Sequence, residues 1–147
     1  KSINQWNTSA NASAYVNNSI NTPLDYVDPK NDKNNVSNLS KVTVKWDESL
    51  SNEMKLEKVI TQKWISIFPD GQEAWSEFRR TGYPKLMTVM VNNSGGKIST
   101  TDFIRRINFP ANEYSTNAAA VADAVKLLGG ADTGGTRLWW DVKKDNF

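Results

Sequence analysis

The acidic residues are the first candidates for chemistry, because this sequence contains neither histidine nor cysteine. That absence excludes imidazole-dependent catalytic triads, cysteine nucleophiles and metal centres with Cys or His ligands. Glycoside hydrolysis remains conceivable and needs two carboxylates about 5 to 10 Å apart. The closely spaced acids are Asp47, Glu48, Asp70, Glu73 and Glu77. Each has a structural explanation, such as helix capping by Asp70, so we predict no catalytic residue and no enzyme.

A second set of oxygen-bearing side chains lies in a polar loop. Asp28, Asp32 and Asn34 alternate in a way loosely similar to a calcium-binding loop. The glycine and the distal glutamate of a helix–loop–helix calcium site are missing. We therefore predict a solvated loop, no metal site and no cofactor.

Aromatic side chains offer a binding chemistry instead, and the sequence has six tryptophans. An exposed aromatic ring can stack on a sugar ring, while Asn, Asp and Arg side chains bond to the hydroxyls. The stretch 1–40 is rich in Asn and carries scattered aromatic residues. Within it we predict Trp6 and Tyr15 as the ligand-binding residues.

The other tryptophans are expected to serve mainly in packing. Trp64 and Trp75 lie on apolar faces of predicted helices and should be buried. Trp46 ends an alternating apolar stretch that begins at Val42, and it should be buried too. Neighbouring side chains of an extended chain point in opposite directions, so at most one of the pair Trp139–Trp140 should face the core.

The net charge of +2, from 18 basic and 16 acidic residues, gives no reason to expect a nucleic acid or an anionic membrane as partner. The arginine pairs 79–80 and 105–106 are too sparse for a nucleic-acid surface, and we expect a buried arginine in each pair. Apolar runs fall far short of the roughly 20 residues of a membrane span. Because the chain starts at Lys1 without an initiator Met or a visible signal peptide, we expect it to begin in mid-protein, as a mature form or a fragment.

The composition changes near residue 40. Residues 1–40 show no lasting hydrophobic period and are expected to form a loop-rich segment with one or two short helical turns. A forty-residue irregular segment is unusual in an isolated domain, so we expect it to lie against another part of a larger protein. Residues 41–147 should form a more ordered, helical core.

Two helices joined by a turn are predicted between residues 51 and 82. Apolar residues at helical spacing predict the first over 51–68, with Ser49 or Ser51 as its N-cap, and Pro69 after its end. Asp70 should begin the second, in a capping box with Glu73, and Gly82 should end it. We expect the apolar ridge from Met54 to Phe78 to rest on helices outside these 147 residues.

A minor β element and a third helix follow. Residues 86–91 are predicted as a strand, with a turn over 92–96 and a returning partner at 97–99. Asn117 should cap a helix over 118–128 that Gly129 ends. The predicted fold class is therefore mainly α, with long irregular loops and a minor β hairpin.

Three sequence motifs resemble those of the SusD/RagB family of Bacteroidetes outer-membrane lipoproteins. The first, at residues 60–84, reads ITQKWISIFPDGQEAWSEFRRTGYP. The second reads IRRINFP at 104–110 and continues with Glu113, Tyr114 and Asn117, and the third reads TRLWWD at 136–141. The motifs are long and correctly ordered, so we interpret residues 1–147 as the C-terminal portion of a SusD-like α fold that contains tetratricopeptide-like helices.

The resemblance implies a nutrient-binding lipoprotein on the surface of the outer membrane. Such proteins capture glycans or peptides for import and act as a lid on a SusC-type TonB-dependent transporter. The implied partners are an oligosaccharide, this transporter and the N-terminal portion of the same protein, with the membrane reached only through a lipid anchor absent from this chain. The matching motifs are architectural, and no catalytic residue is carried over from the family.

Two functional hypotheses remain from the sequence. In the first, this portion helps to hold an oligosaccharide through aromatic stacking and amide hydrogen bonds. In the second, it supports the scaffold or contacts the transporter, with the ligand site elsewhere. A peptide in place of a glycan is the alternative for the ligand.

Overall fold

The computed structural model of this chain describes residues 9–142, which form two compact units, 9–87 and 88–142. The first unit contains α1 (Ala12–Val16), a 3-10 turn (Asp32–Asn34), α2 (Asn52–Ser66) and α3 (Gly71–Thr81). The second contains α4 (Glu113–Thr116) and α5 (Ala118–Leu128). The compositional change at residue 40 lies inside the first unit. Within residues 9–142, none of the helices has the length and apolar character needed to cross a membrane.

Helices α2 and α3 form where the apolar spacing predicts them, and both predicted N-caps are confirmed. The Ser51 hydroxyl accepts a hydrogen bond from the Met54 N–H at 3.3 Å. The Asp70 carboxylate accepts one from the Glu73 N–H at 3.0 Å. Each bond satisfies one of the backbone donors that the first turn of a helix leaves open.

The rest of the capping box is not formed. The Asp70 N–H donates to the Ile67 carbonyl at 2.7 Å, and the Glu73 carboxylate accepts from Lys63 at 2.8 Å. At its other end α3 stops as predicted, because Gly82 adopts a left-handed conformation with φ of 77°. Its N–H bonds back to the Phe78 carbonyl.

The apolar ridge is covered only in part by the described residues. Ile60 and Phe78 are buried in the first unit. Met54, Val59 and Phe68 belong to the same ridge and are exposed, Phe68 by 85%. The covered side holds α2 and α3 together, and the other side presents apolar surface.

The predicted hairpin over residues 86–99 does not form a strand ladder. The Val89 N–H donates to the Thr100 carbonyl at 3.2 Å, but no strand is formed in this stretch. The side-chain amide of Asn92 donates to the Ile98 carbonyl at 2.8 Å, which occupies an acceptor that a ladder would use. Elsewhere in the described chain, the β structure is an isolated antiparallel bridge at residues 26 and 36, inside the predicted loop region.

Two segments of the second unit, at residues 105–106 and 132–134, are joined by hydrogen bonds and an ion pair. The N–H groups of Arg105 and Arg106 both donate to the Gly134 carbonyl, at 2.7 and 3.3 Å. The Arg106 side chain forms an ion pair with Asp132, and Arg105 lies 3.5 Å from Asp141. Both arginines are buried, which confirms the expected buried arginine in this pair and adds a second.

Helix α5 lies where it was predicted, but Asn117 does not cap it through its side chain. The Asn117 N–H donates to the Glu113 carbonyl at 2.8 Å, because α4 runs almost directly into α5. Gly129 ends the helix in a left-handed conformation, as predicted. Val121 is its buried residue.

Candidate functional site

Tyr15, one of the two predicted ligand-binding residues, lies on the short helix α1 and is 44% exposed. Its hydroxyl donates to the side-chain oxygen of Gln62, on α2, at 2.8 Å. Asn11 caps α1 by accepting the Ala14 N–H at 2.9 Å. Tyr15 therefore has both an exposed ring, which a ligand can reach, and a bond that ties α1 to α2. Trp6, the other predicted residue, lies outside the described residues.

The acidic residues on the paired helices are engaged in ion pairs. The Glu77 carboxylate bonds to Arg80 at 2.7 Å and lies 3.2 Å from Lys63, which also bonds to Glu73. The bond from Arg80, followed by the contact with Lys63, outweighs partial burial and lowers the pKa of Glu77. The Glu77 carboxylate is therefore ionised at neutral pH and paired with two cations.

The loop with alternating acids is stabilised by its own backbone. One Asp28 oxygen accepts the N–H groups of Lys30 and Asn31, and the other accepts the Asn34 amide. The Lys30 N–H is the largest cause of the lowered pKa of Asp28. Asp28 therefore acts as a turn former in this loop.

Three tryptophans of the first unit were predicted to be buried, and all three are less buried than predicted. Trp64 and Trp75 are half-buried, and the guanidinium carbon of Arg79 lies 3.5 Å from the centre of the Trp75 ring. Trp46, predicted to be buried, is 46% exposed, so that prediction was wrong. The alternation from Val42 breaks at a bend over residues 44–45, so side chains two apart no longer share a face.

The exposed Trp46 ring lies in a groove of about 560 Å³ in the first unit, here called the Trp46 groove. Its lining includes Ser19, Lys41, Lys45, Asp47, Glu48 and Met54. The Lys45 N–H donates to the Asn18 carbonyl at 2.9 Å, which brings the segment after α1 to the groove. A volume of this size is within the range of small-molecule sites.

Lys58, on α2, fixes the loop that carries Trp46. Its ammonium is buried and donates to the Thr43 carbonyl at 2.7 Å, the Thr43 hydroxyl at 3.2 Å and the Lys45 carbonyl at 2.6 Å. These three bonds satisfy the donors of the buried cation.

The Trp46 ring is also fixed by its own polar atom. Its indole N–H donates to Glu48 at 2.7 Å, and the other Glu48 oxygen bonds to Lys55 at 2.9 Å. The indole, and then Lys55, lower the pKa of Glu48. The Ser49 hydroxyl, followed by its N–H, lowers the pKa of Asp47. The groove thus combines an aromatic ring, carboxylates and lysine side chains.

Comparison with known proteins decides the family. The profile of the SusD-like family, described as SusD and RagB outer membrane lipoproteins, matches residues 1–141. The chain belongs to the SusD-like family. Members of this family are outer membrane lipoproteins, which confirms the predicted location of this SusD-like protein at the outer membrane.

Solved SusD-like structures support the same assignment. A chitin-binding SusD homologue from Flavobacterium johnsoniae is 51% identical over 99% of this chain, with a TM-score of 0.88. SusD homologues from Bacteroides vulgatus and Bacteroides thetaiotaomicron are 43% and 36% identical over 99% of it, with TM-scores of 0.85 and 0.86. This chain spans 30%, 29% and 30% of those three structures, which confirms that it corresponds to a portion of the SusD-like fold. No curated protein matches the sequence.

Sequence reasoning missed the Trp46 groove. The signal that could have indicated it is the run Lys45-Trp46-Asp47-Glu48, which places charged residues on both sides of the ring. An aromatic residue flanked in this way does not fit a strand buried on both faces. The valines before it suggested burial, and the bend could not be read from them.

Proposed function

We propose that this chain is part of a non-enzymatic glycan-binding lipoprotein of the cell surface, which captures oligosaccharides for import by a SusC-type TonB-dependent transporter. The observation that supports it best is the 51% identity with a chitin-binding SusD homologue over 99% of the chain. An oligomer of N-acetylglucosamine is therefore the first ligand to test. Tyr15 and Trp6 are the proposed ligand contacts from the loop-rich segment.

The test uses the full-length protein that contains this chain. A glycan array and calorimetric titration with chitohexaose should show saturable saccharide binding, and no hydrolysis products should appear. Capture of the co-expressed transporter on an affinity tag should show the partnership. Binding to peptides with no binding to any saccharide would contradict the glycan proposal.

Tyr15 needs a separate test, because its bond to Gln62 also gives it a structural role. If it contacts ligand, Tyr15→Ala should weaken saccharide binding, while Tyr15→Phe, which keeps the ring, should weaken it less. Tyr26→Ala is the matched control, since Tyr26 is 46% exposed on the same unit. Unchanged affinity in Tyr15→Ala would favour the supporting role for this helix.

A further inference from the structure

We propose that the Trp46 groove is a saccharide-binding subsite that takes one pyranose ring of the glycan, stacked on the Trp46 indole. This inference rests on the proposed function and assigns part of the binding to a residue other than Trp6 and Tyr15. Pyranoses with equatorial hydroxyls present C–H groups on both faces of the ring. Those groups match the electron-rich face of an indole.

The first argument is that the ring is exposed and also held in place. Trp46 is 46% exposed, although its N–H is bonded to Glu48 at 2.7 Å. Lys58 holds the backbone on both sides of residue 44 through the Thr43 and Lys45 carbonyls. A ring fixed before binding loses little conformational entropy when a ligand stacks on it, which favours affinity.

The second argument is that the groove offers both donors and acceptors to sugar hydroxyls. Asp47 uses one oxygen, Oδ1, for the Ser49 N–H and hydroxyl, at 2.8 and 2.6 Å, while its Oδ2 accepts no hydrogen bond from the described residues. Lys41 and Lys45 line the groove with exposed side chains, and neither forms an ion pair within residues 9–142. Hydroxyl groups, which donate and accept, can use both kinds of partner.

The third argument is the shape of the groove. Val42, which is buried, and Leu50 give the groove apolar surface beside the ring. Apolar walls with a few directed polar groups are characteristic of small-molecule sites. The groove has a volume of about 560 Å³, which is within the range of sites that hold small molecules.

The experiment compares variants of the full-length protein by calorimetric titration with chitohexaose. Trp46→Ala should weaken binding about tenfold or more, as expected for a tryptophan that anchors a ligand. Trp46→Phe keeps an aromatic face and should lose less than Trp46→Ala. Trp139→Ala is the matched control, because Trp139 is 89% exposed in the other unit, and it should bind like the wild type.

Melting temperatures of the same variants separate binding from folding. If Trp46→Ala does not fold, Asp47→Asn and Lys45→Ala replace it, and each should weaken binding about threefold while keeping the wild-type melting temperature. Wild-type affinity in Trp46→Ala, or in both replacements, would overturn the subsite and leave the proposed function standing. If the wild-type protein binds a different glycan on the array, the same series is titrated with that glycan. If it binds no glycan, the proposed function and the subsite both fail.

Discussion

Lys58 is a buried cation whose contacts decide the position of the Trp46 loop. It is 6% exposed, and its ammonium bonds to two backbone carbonyls and one hydroxyl of residues 43 and 45. Bonds to a charged donor stabilise more than neutral ones, and acceptors left without a donor cost free energy. The position of the ring therefore depends on a residue that does not need to touch a ligand.

We predict that Lys58→Met lowers the free energy of unfolding by about 2 kcal/mol, because it keeps the bulk of the side chain and removes the donors. Urea denaturation of the full-length protein measures it. Lys126→Met is the control, since Lys126 is exposed and pairs with an exposed Asp123, and it should change stability by less than about 0.5 kcal/mol. An equal loss in free energy of unfolding in Lys58→Met and Lys126→Met would show that the Lys58 bonds do not stabilise the loop.

Asp132 is the corresponding polar centre of the second unit. It accepts bonds from Arg106, the Tyr114 hydroxyl and the Phe109 N–H. Burial alone would raise the pKa of Asp132, but the bonds from Tyr114 and Arg106 outweigh it, and the pKa lies below its ordinary value of 3.8. A carboxylate with a lowered pKa in the folded state stabilises the fold above the unfolded pKa, and this is lost as pH falls through the folded value.

We therefore predict that Asp132→Asn destabilises the protein by about 3 kcal/mol at pH 7, where it leaves Arg106 buried without its counter-ion. The difference in free energy of unfolding between wild type and Asp132→Asn should decrease below about pH 4, as the wild-type carboxyl becomes protonated. Denaturation at pH 7, 5 and 3 gives the comparison. Asp123→Asn, on an exposed pair, should show almost no difference at any of these pH values. A difference for Asp132→Asn that stays constant down to pH 3 would contradict this account.

At the scale of elements, the sequence was sufficient for the paired helices. Their starts and ends depend on local chemistry, namely the Ser51 and Asp70 caps and the left-handed Gly82, which can be read without knowing the rest of the chain. The period-2 expectation at Trp46 failed because the chain bends at residues 44–45, where Lys58, twelve residues from Trp46 in sequence, bonds to the carbonyls of residues 43 and 45. A period predicts which side chains share a face only while the backbone stays regular.

The predicted hairpin failed for a related reason. Strand propensity over residues 86–91 is real, but pairing also needs free backbone partners in register. The Asn92 side chain instead donates a hydrogen bond to the Ile98 carbonyl.

Tyr15 could be proposed from the sequence for its residue type and loop position. Its bond to Gln62 could not be foreseen, because it joins residues 47 positions apart.

A close approach of two segments in the second unit allows a sharper test. A Cβ at Gly135 would lie 2.6 Å from the Lys97 carbonyl oxygen, too close for any side chain. We predict that Gly135→Ala destabilises the protein by about 2 kcal/mol, because backbone must move to relieve the contact. Gly71→Ala is the matched control, since nothing lies within 4 Å of its Cβ position and alanine favours the start of α3. Thermal unfolding gives the melting temperature of each variant. A melting temperature of Gly135→Ala equal to or above that of Gly71→Ala would refute the assigned packing.

The described part of the molecule buries little apolar surface for its size. Its buried apolar residues are Val42, Ile60, Ala74, Phe78, Tyr83 and Val121. Large apolar side chains that are 85–90% exposed include Ile20, Leu24, Phe68 and Leu127. The solved relatives are more than three times longer than the matched region. We therefore expect the remaining portion of the full-length protein to cover this surface.

We accordingly predict that residues 1–147 expressed alone bind the hydrophobic dye ANS and unfold over a broad temperature range. The full-length protein should bind little dye and unfold sharply, because burial of each large apolar side chain stabilises a fold by about 1.5–3 kcal/mol. Co-expression with the N-terminal portion as a separate polypeptide should reduce dye binding and capture both pieces in one complex. The opposite result would be a monomeric 147-residue chain that does not bind the dye and unfolds as cooperatively as the full-length protein. It would mean that the few buried residues of this chain are sufficient for a stable fold, and that the exposed ridge on α2 and α3 needs no cover.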